Sequence, residues 1–245
     1  MTIRVGHLYP DYLNIYADRG NIAVFSARAR ARGEELAILS ISLREPVPPA
    51  IDLFYIGGGQ DREQELVAPD LAEKGAALAE ATAAGSALLA VCGGYQLLGR
   101  FYRDRSGAEL PGIGLLPLHT IAGSRRLIGD VLLDCAWAGR TLAGFENHAG
   151  QTILDPGAEP LGRVVSGFGN DGRSGLEGCR QGSIYGTYLH GPLLPRNPWF
   201  ADRLIAEAIA HRDGAEPELD PLDDRLEQEA FEVAAARARE RGGRS

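Results

Sequence analysis

Apolar positions in the first hundred residues follow two alternating periods. Residues 3–9, 36–41 and 51–56 are short apolar runs with the length and branching of buried strands. Residues 15–32 instead space their apolar positions as a helix does, up to Gly33, and the alanine-rich stretch 61–84 predicts a long helix stopped by Gly85. A fourth apolar run, Ala87-Leu88-Leu89-Ala90-Val91, passes through Cys92-Gly93-Gly94 into residues 95–100, which read as the first turns of a helix. Strand, helix, strand, strand, helix, strand, helix is the order of an α/β fold with a mostly parallel, doubly wound sheet. Beyond Arg103 the texture changes. Glycine and proline recur, and β runs at 126–135, 143–153, 162–167 and 183–189 are expected to add antiparallel strands to the same sheet. Residues 199–212 predict a helix packed on that sheet. A linker at 217–221 and a polar helix with a narrow apolar stripe at 222–241 follow, and residues 242–245 are expected to fray. The expected division is a main domain over 1–213 with a linker and helix over 214–245.

Composition narrows the class. The chain has 245 residues, of which 44% are hydrophobic, enough for one full core with a modest appendage. A net charge of -8 argues against general affinity for nucleic acid or an anionic membrane. No apolar stretch approaches the roughly 20 residues needed to span a bilayer, and the N-terminus lacks the layout of a signal peptide. Three cysteines, Cys92, Cys135 and Cys179, are an odd count without metal-like pairing, which suits a reducing cytoplasm.

The chemistry concentrates where strand gives way to helix at Cys92. A cysteine there sits in the positive field of a helix N-terminus, which favours the thiolate, and the thiolate is the nucleophile. Gly93 and Gly94 permit a tight turn, and the N–H following Cys92 points where an oxyanion would form. The same residues fit a small buried cysteine in an α/β core equally well. In open α/β sheets ligands bind beyond the carboxyl ends of the strands, so the Gly57-Gly58-Gly59-Gln60 loop should converge on Cys92. No phosphate-binding glycine pattern follows a strand. A nucleophilic cysteine needs a base. Of five histidines, His148 and His190 are the better placed, each ending a β run, although a satisfied structural role is the default for either.

The segment Ala90-Val91-Cys92-Gly93-Gly94-Tyr95-Gln96 resembles the C-x-G-x-Q nucleophile elbow of class I glutamine amidotransferases. Gly57-Gly58-Gly59-Gln60-Asp61, Phe145-Glu146-Asn147-His148 and Tyr185-Gly186-Thr187-Tyr188-Leu189-His190-Gly191 are similar to the cobyric acid synthase (CobB/CobQ) type within that class. The stretch Leu8-Tyr9-Pro10-Asp11-Tyr12-Leu13-Asn14-Ile15-Tyr16-Ala17-Asp18-Arg19-Gly20-Asn21 narrows the resemblance to the GatD group, glutaminase subunits of lipid II isoglutaminyl synthase. The resemblance covers about residues 3 to 200 and implies the class I amidotransferase (flavodoxin-like) fold. It implies that Cys92 attacks the glutamine amide and forms a thioester, with His190 as the proton carrier. Gly58, Gly59 and Gly93 would form the oxyanion hole, and Arg126 and Gln96 would hold the substrate. No metal or cofactor is implied in this chain. ATP and magnesium are expected on the partner, a MurT-like Mur ligase that uses the ammonia to amidate the D-glutamate α-carboxyl of lipid II.

One departure from the wider class is informative. Most class I enzymes follow their histidine with proline and then a glutamate that orients the imidazole, whereas His190-Gly191-Pro192-Leu193 offers no carboxylate. The resemblance implies that the partner supplies an aspartate instead, making this a conditional enzyme. The competing readings are a cobyric acid synthase-like amidotransferase of corrin biosynthesis and a non-catalytic scaffold subunit. The first usually carries an attached ATP-dependent domain, for which an α/β pattern starting at residue 3 leaves no room; the second fits poorly with both Cys92 and His190 in motif positions.

Overall fold

The computed structural model describes residues 2–15 and 19–242, without the side chains of 241 and 242. The expected helix start at 15 therefore falls partly outside the described residues, as do Tyr16, Ala17 and Asp18 of the N-terminal motif and residues 243–245 of the expected frayed end. Strands β1 (Ile3–Leu8), β2 (Leu36–Ile41), β3 (Leu53–Ile56) and β4 (Ala87–Val91) alternate with helices α1 (Arg19–Ala31) and α2 (Asp61–Ala83). All four strands run parallel, with Val5 beside Ile38 on one side and Leu53 on the other, and Ile56 beside Ala90. β3 and β4 are buried at every position, which is why they read as continuous apolar runs rather than alternating ones. The crossover from β1 moves outward to β2, and the one from β3 moves the opposite way to β4. Right-handed crossovers in opposite directions put α1 and α2 on opposite faces of the sheet.

A single-turn helix α3 (Gly93–Leu97) follows β4 and stops well short of the expected residue 100. The chain then builds β5 (Phe101–Arg103), β6 (Glu109–Pro111), β7 (Leu118–Cys135), β8 (Arg140–Leu154), β9 (Gly162–Ser166) and β10 (Leu176–Glu177). The antiparallel character expected of this half is present, but these strands form a sheet of their own, ordered β10-β9-β7-β5-β6 with β8 on β7. Length explains the separation. The β7–β8 hairpin runs from Leu118↔Leu154 to Cys135↔Arg140, about three times the span of the parallel strands, and buries its own inner face.

The chain rejoins the first sheet through β11 (Cys179–Gln181) and β12 (Ile184–Thr187). β12 lies parallel to β4, with Thr187 beside Val91, so the residues after Thr187 emerge next to Cys92. Helix α4 (Pro198–Asp213) packs on α1 and on β1, β3 and β4, and ends at Gly214 in the left-handed region, φ 77°. Helix α5 (Arg225–Gly242) lays Ala234, Ala235 and Ala238 against Leu132 and Ala143 of the second sheet. That contact is the narrow apolar stripe of the sequence.

Candidate active site

The β4–α3 turn is a strained elbow. Cys92 has φ 49° and ψ −108°, a conformation that L-residues adopt rarely and that elbows use to expose a nucleophile. Its backbone is held on both sides: the N–H donates to Thr187 O at 2.8 Å, and the carbonyl accepts from Gln96 N–H at 3.0 Å. Gly94 N–H donates to Gly57 O at 3.2 Å, binding the elbow to the loop after β3. A Cβ on Gly94 would lie 2.7 Å from that oxygen, and one on Gly93 would lie 3.0 Å from Gly59 N. Only glycine allows the two loops to come this close. The expectation that a helix dipole activates Cys92 needs correction, because α3 has only five residues. One turn sums few peptide dipoles, so a full macrodipole is not available to the sulfur.

Cys92 opens on a cavity of about 630 Å³ built from three parts. The β3–α2 loop supplies Gly59, Gln60 and Gln64, the elbow supplies Cys92 and Gln96, and the β7–β8 hairpin supplies Arg126, Asn147 and His148. Gly58 and Gly93 stand behind this lining, in the backbone that carries it. Arg126 lies where the β7–β8 register breaks between Ala122 and Leu127. The break frees Arg126 from the ladder, and its guanidinium donates from Nε to Asn147 Oδ1 at 2.9 Å and from Nη2 to Asn147 O at 3.1 Å. Gln96 is buried and donates from Nε2 to the Tyr188 hydroxyl at 3.0 Å.

His190 does not itself line the cavity. It is fully buried, three residues beyond Thr187, and its N–H donates to Phe145 O at 2.7 Å. Burial pushes its imidazole down to about 3, with further depression from the charges of His148 and Arg126. His190 is therefore neutral across the physiological range and holds a lone pair able to take a proton. Cys135 and Cys179 are buried free thiols that burial pushes up to about 12, so neither is a nucleophile at neutral pH.

Several lining residues carried no signal of their own in the sequence. Asn147 stood inside a segment that the resemblance singled out, but with no role attached to it, and Gln64 lay in a stretch whose spacing announced only a helix. Gln64 Oε1 is buried without a hydrogen-bond partner among the described residues, close to where a Gly93 Cβ would be. Gln60 caps α2, with Glu63 accepting from Gln60 N–H at 3.1 Å, but the sequence signature of a capping box has a short hydroxyl or Asx residue at that position, so the pair gave no signal either. His148, whose role the sequence left open, stacks on Tyr188 with ring centroids 3.5 Å apart and its Nδ1 2.7 Å from Gly150 O.

Known proteins place this geometry. The chain is 38% identical over 96% of its length to the GatD subunit of the glutamine-hydrolysing lipid II isoglutaminyl synthase of Staphylococcus aureus, covering 96% of that protein. It is 35% identical over 94% of its length to the subunit of the same name from Streptococcus pneumoniae, covering 89% of that one. In fold it is similar to the glutaminase domain of a Trypanosoma brucei CTPS, with a TM-score of 0.51 over 89% of this chain and 97% of that one at 13% identity. The model of the CobB/CobQ-like glutamine amidotransferase domain matches residues 4–198, which takes in the elbow, the β3 loop, the hairpin and His190. The chain belongs to the CobB/CobQ-like glutamine amidotransferases.

Proposed function

We propose that this chain is the glutaminase subunit of a lipid II isoglutaminyl synthase, with Cys92 as nucleophile and His190 as proton carrier. The observation that carries the reading is the strained Cys92 elbow opening on the one cavity that also holds Gln96 and Arg126. Glutamine enters with its α-carboxylate at the Arg126 guanidinium and its carboxamide toward Cys92. The thiol proton passes to His190, Sγ bonds to the amide carbon, and the oxyanion takes backbone N–H groups from Gly93 and the Gly58-Gly59 loop. Each such donor is worth on the order of 3 kcal/mol to the transition state. Collapse expels ammonia, which leaves with the proton from His190; water then cleaves the thioester to glutamate.

The ammonia serves a MurT-type Mur ligase partner, which binds ATP and magnesium and amidates the D-glutamate α-carboxyl of lipid II to D-isoglutamine. The names of the two near-full-length relatives support that assignment over corrin amidation. Use of ATP and of a lipid-linked precursor places the pair in the cytoplasm. The partner also supplies the carboxylate that His190-Gly191-Pro192-Leu193 lacks. Burial, then His148 and the Arg126 guanidinium, disfavour a charged His190, a setting that an acid from outside would offset. Co-expression with the ligase, followed by mass analysis of lipid II, tests the reading. A gain of amidation that disappears in Cys92→Ala supports it, and amidation that persists in Cys92→Ala refutes it.

A further inference from the structure

Glu177 closes β10 and is fully buried, yet nothing in the proposed chemistry uses it. Its Oε1 accepts two hydrogen bonds, from the Thr187 hydroxyl at 2.5 Å and from Tyr188 N–H at 2.9 Å. Thr187 Oγ1 in turn accepts from Leu189 N–H at 3.1 Å. One carboxyl oxygen therefore organises the three consecutive residues that lead from the end of β12 to His190. The effect reaches the cavity wall as well. Tyr188, held at its N–H by Glu177, receives Gln96 Nε2 at its hydroxyl and stacks its ring on His148.

The anchor is itself fixed. Gly178, the next residue, has φ 63° and is bracketed by Asn170, which accepts its N–H and donates to its carbonyl, both at 3.0 Å. Asn170 Oδ1 also accepts from the Tyr95 hydroxyl at 3.2 Å, tying this corner to the elbow helix. A carboxyl in such a place carries a desolvation cost, and among the described residues Oε2 has no hydrogen-bond partner to offset it. A loop held merely for stability would be served by an apolar side chain of the same volume.

We infer that Glu177 is a positioning residue, acting through Thr187, Tyr188 and Leu189 to set the pose of His190 and of the Tyr188–Gln96 wall. It works as a neutral acid. Burial, with Glu146 nearby, raises its carboxyl to about 8, which favours the neutral acid at neutral pH, with Oε1 as the accepting oxygen. The amide of glutamine has the same shape and the same acceptor.

The inference rests on the glutaminase reading only for its kinetic arm. The full chain, with its ligase partner, is compared as wild type, Glu177→Ala, Glu177→Gln and Thr187→Val. Kinetics of glutamine hydrolysis are paired with carbon-13 NMR of labelled histidine, the His190 signal being assigned by its loss in His190→Gln. Glu177→Ala and Thr187→Val should lower kcat by about a hundredfold, the usual consequence of an ångström's misplacement. KM should hardly change, and the His190 signal should shift or split. Glu177→Gln should restore both kcat and the signal, which a requirement for charge would not allow. If Glu177→Ala does not fold, Thr187→Val decides, since it removes one hydroxyl at constant shape. An unmoved His190 signal in Thr187→Val, or wild-type kcat there, overturns the inference. If wild type proves no faster than Cys92→Ala, the glutaminase reading fails, and the histidine spectra alone then decide the positioning role.

Discussion

At the scale of single residues, the site separates groups that do chemistry from groups that resemble them. Cys92 differs from Cys135 and Cys179 in backbone and access: it sits at φ 49° beside a cavity, whereas the other two are sealed, with thiols pushed up to about 12. Cys92→Ser should therefore abolish glutamate release while melting stays near wild type, because the swap removes the covalent step and little volume. Serine at 135 or 179 should leave the rate within a few fold. A Cys92→Ser protein that still released glutamate at the wild-type rate would remove Cys92 from the mechanism. Arg126 commits two of its five N–H donors to Asn147 and keeps the rest of its fork toward the cavity. Loss of a charge-assisted hydrogen bond to the substrate carboxylate costs roughly 1.5–3 kcal/mol. Arg126→Ala should accordingly raise KM about tenfold to a hundredfold with a smaller change in kcat. Steady-state kinetics check this, and an unchanged KM would leave Arg126 as a buttress of the hairpin only.

At the scale of elements, what was legible in the sequence was whatever is encoded locally. The four parallel strands and their helices could be read from apolar runs because β3 and β4 are buried throughout, and Gly33 and Gly85 marked real helix ends. The Cys92 elbow could be read because its glycines answer a close approach between neighbouring loops. The second sheet could not. Strands of the same composition pair with a near or a distant partner according to the geometry of the whole chain, and no local pattern states which. The Glu177 corner was hidden for a related reason, since it joins residues from three separate segments. The motif Arg19-Gly20-Asn21 lies between these cases: its residues stood out, but their purpose appears only in three dimensions. Asn21 is fully buried, accepts from Leu194 N–H at 2.9 Å and donates to the Tyr55 hydroxyl at 2.9 Å. Gly20 faces Pro192, which a Cβ would meet at 2.5 Å. The start of α1 thus clamps the turn just after His190, as Glu177 holds the turn just before it. Asn21→Ala leaves a buried N–H without its acceptor, which costs about 1–3 kcal/mol. It should lower the melting temperature by several degrees, and calorimetry that shows no change would mean that water or a shifted backbone replaces the bond.

At the scale of the whole molecule, the proposed site pairs Cys92 as nucleophile with a neutral His190 as base, but the His190-Gly191-Pro192-Leu193 turn carries no acid to orient that base. An orienting acid fixes which ring nitrogen carries the proton, and in a serine protease triad its loss costs about 10⁴-fold in kcat. The chain alone should therefore hydrolyse glutamine slowly, and mixing with the proposed ligase partner should accelerate it strongly. The pH dependence carries the sharper signature. In the isolated chain His190 is depressed to about 3 by burial first, and then by His148 and the Arg126 guanidinium, so the base stays unprotonated well below neutrality. Its protonation cannot then cause a loss of activity between pH 5 and 7 in that sample. A carboxylate brought beside the imidazole favours the charged form and raises its pKa. The acid limb of kcat/KM, which reports the free enzyme, should consequently move to higher pH in the complex while the plateau rises. Removing the partner's acid should return the limb to its place in the isolated chain and erase the acceleration, with the complex still formed by sedimentation. Ammonia release measured from pH 4 to 8, with and without partner, decides the matter. A higher plateau with an unmoved acid limb would mean that the partner acts by closing the cavity rather than by orienting His190, and equal plateaus would mean that the base finds its orienting group within this chain.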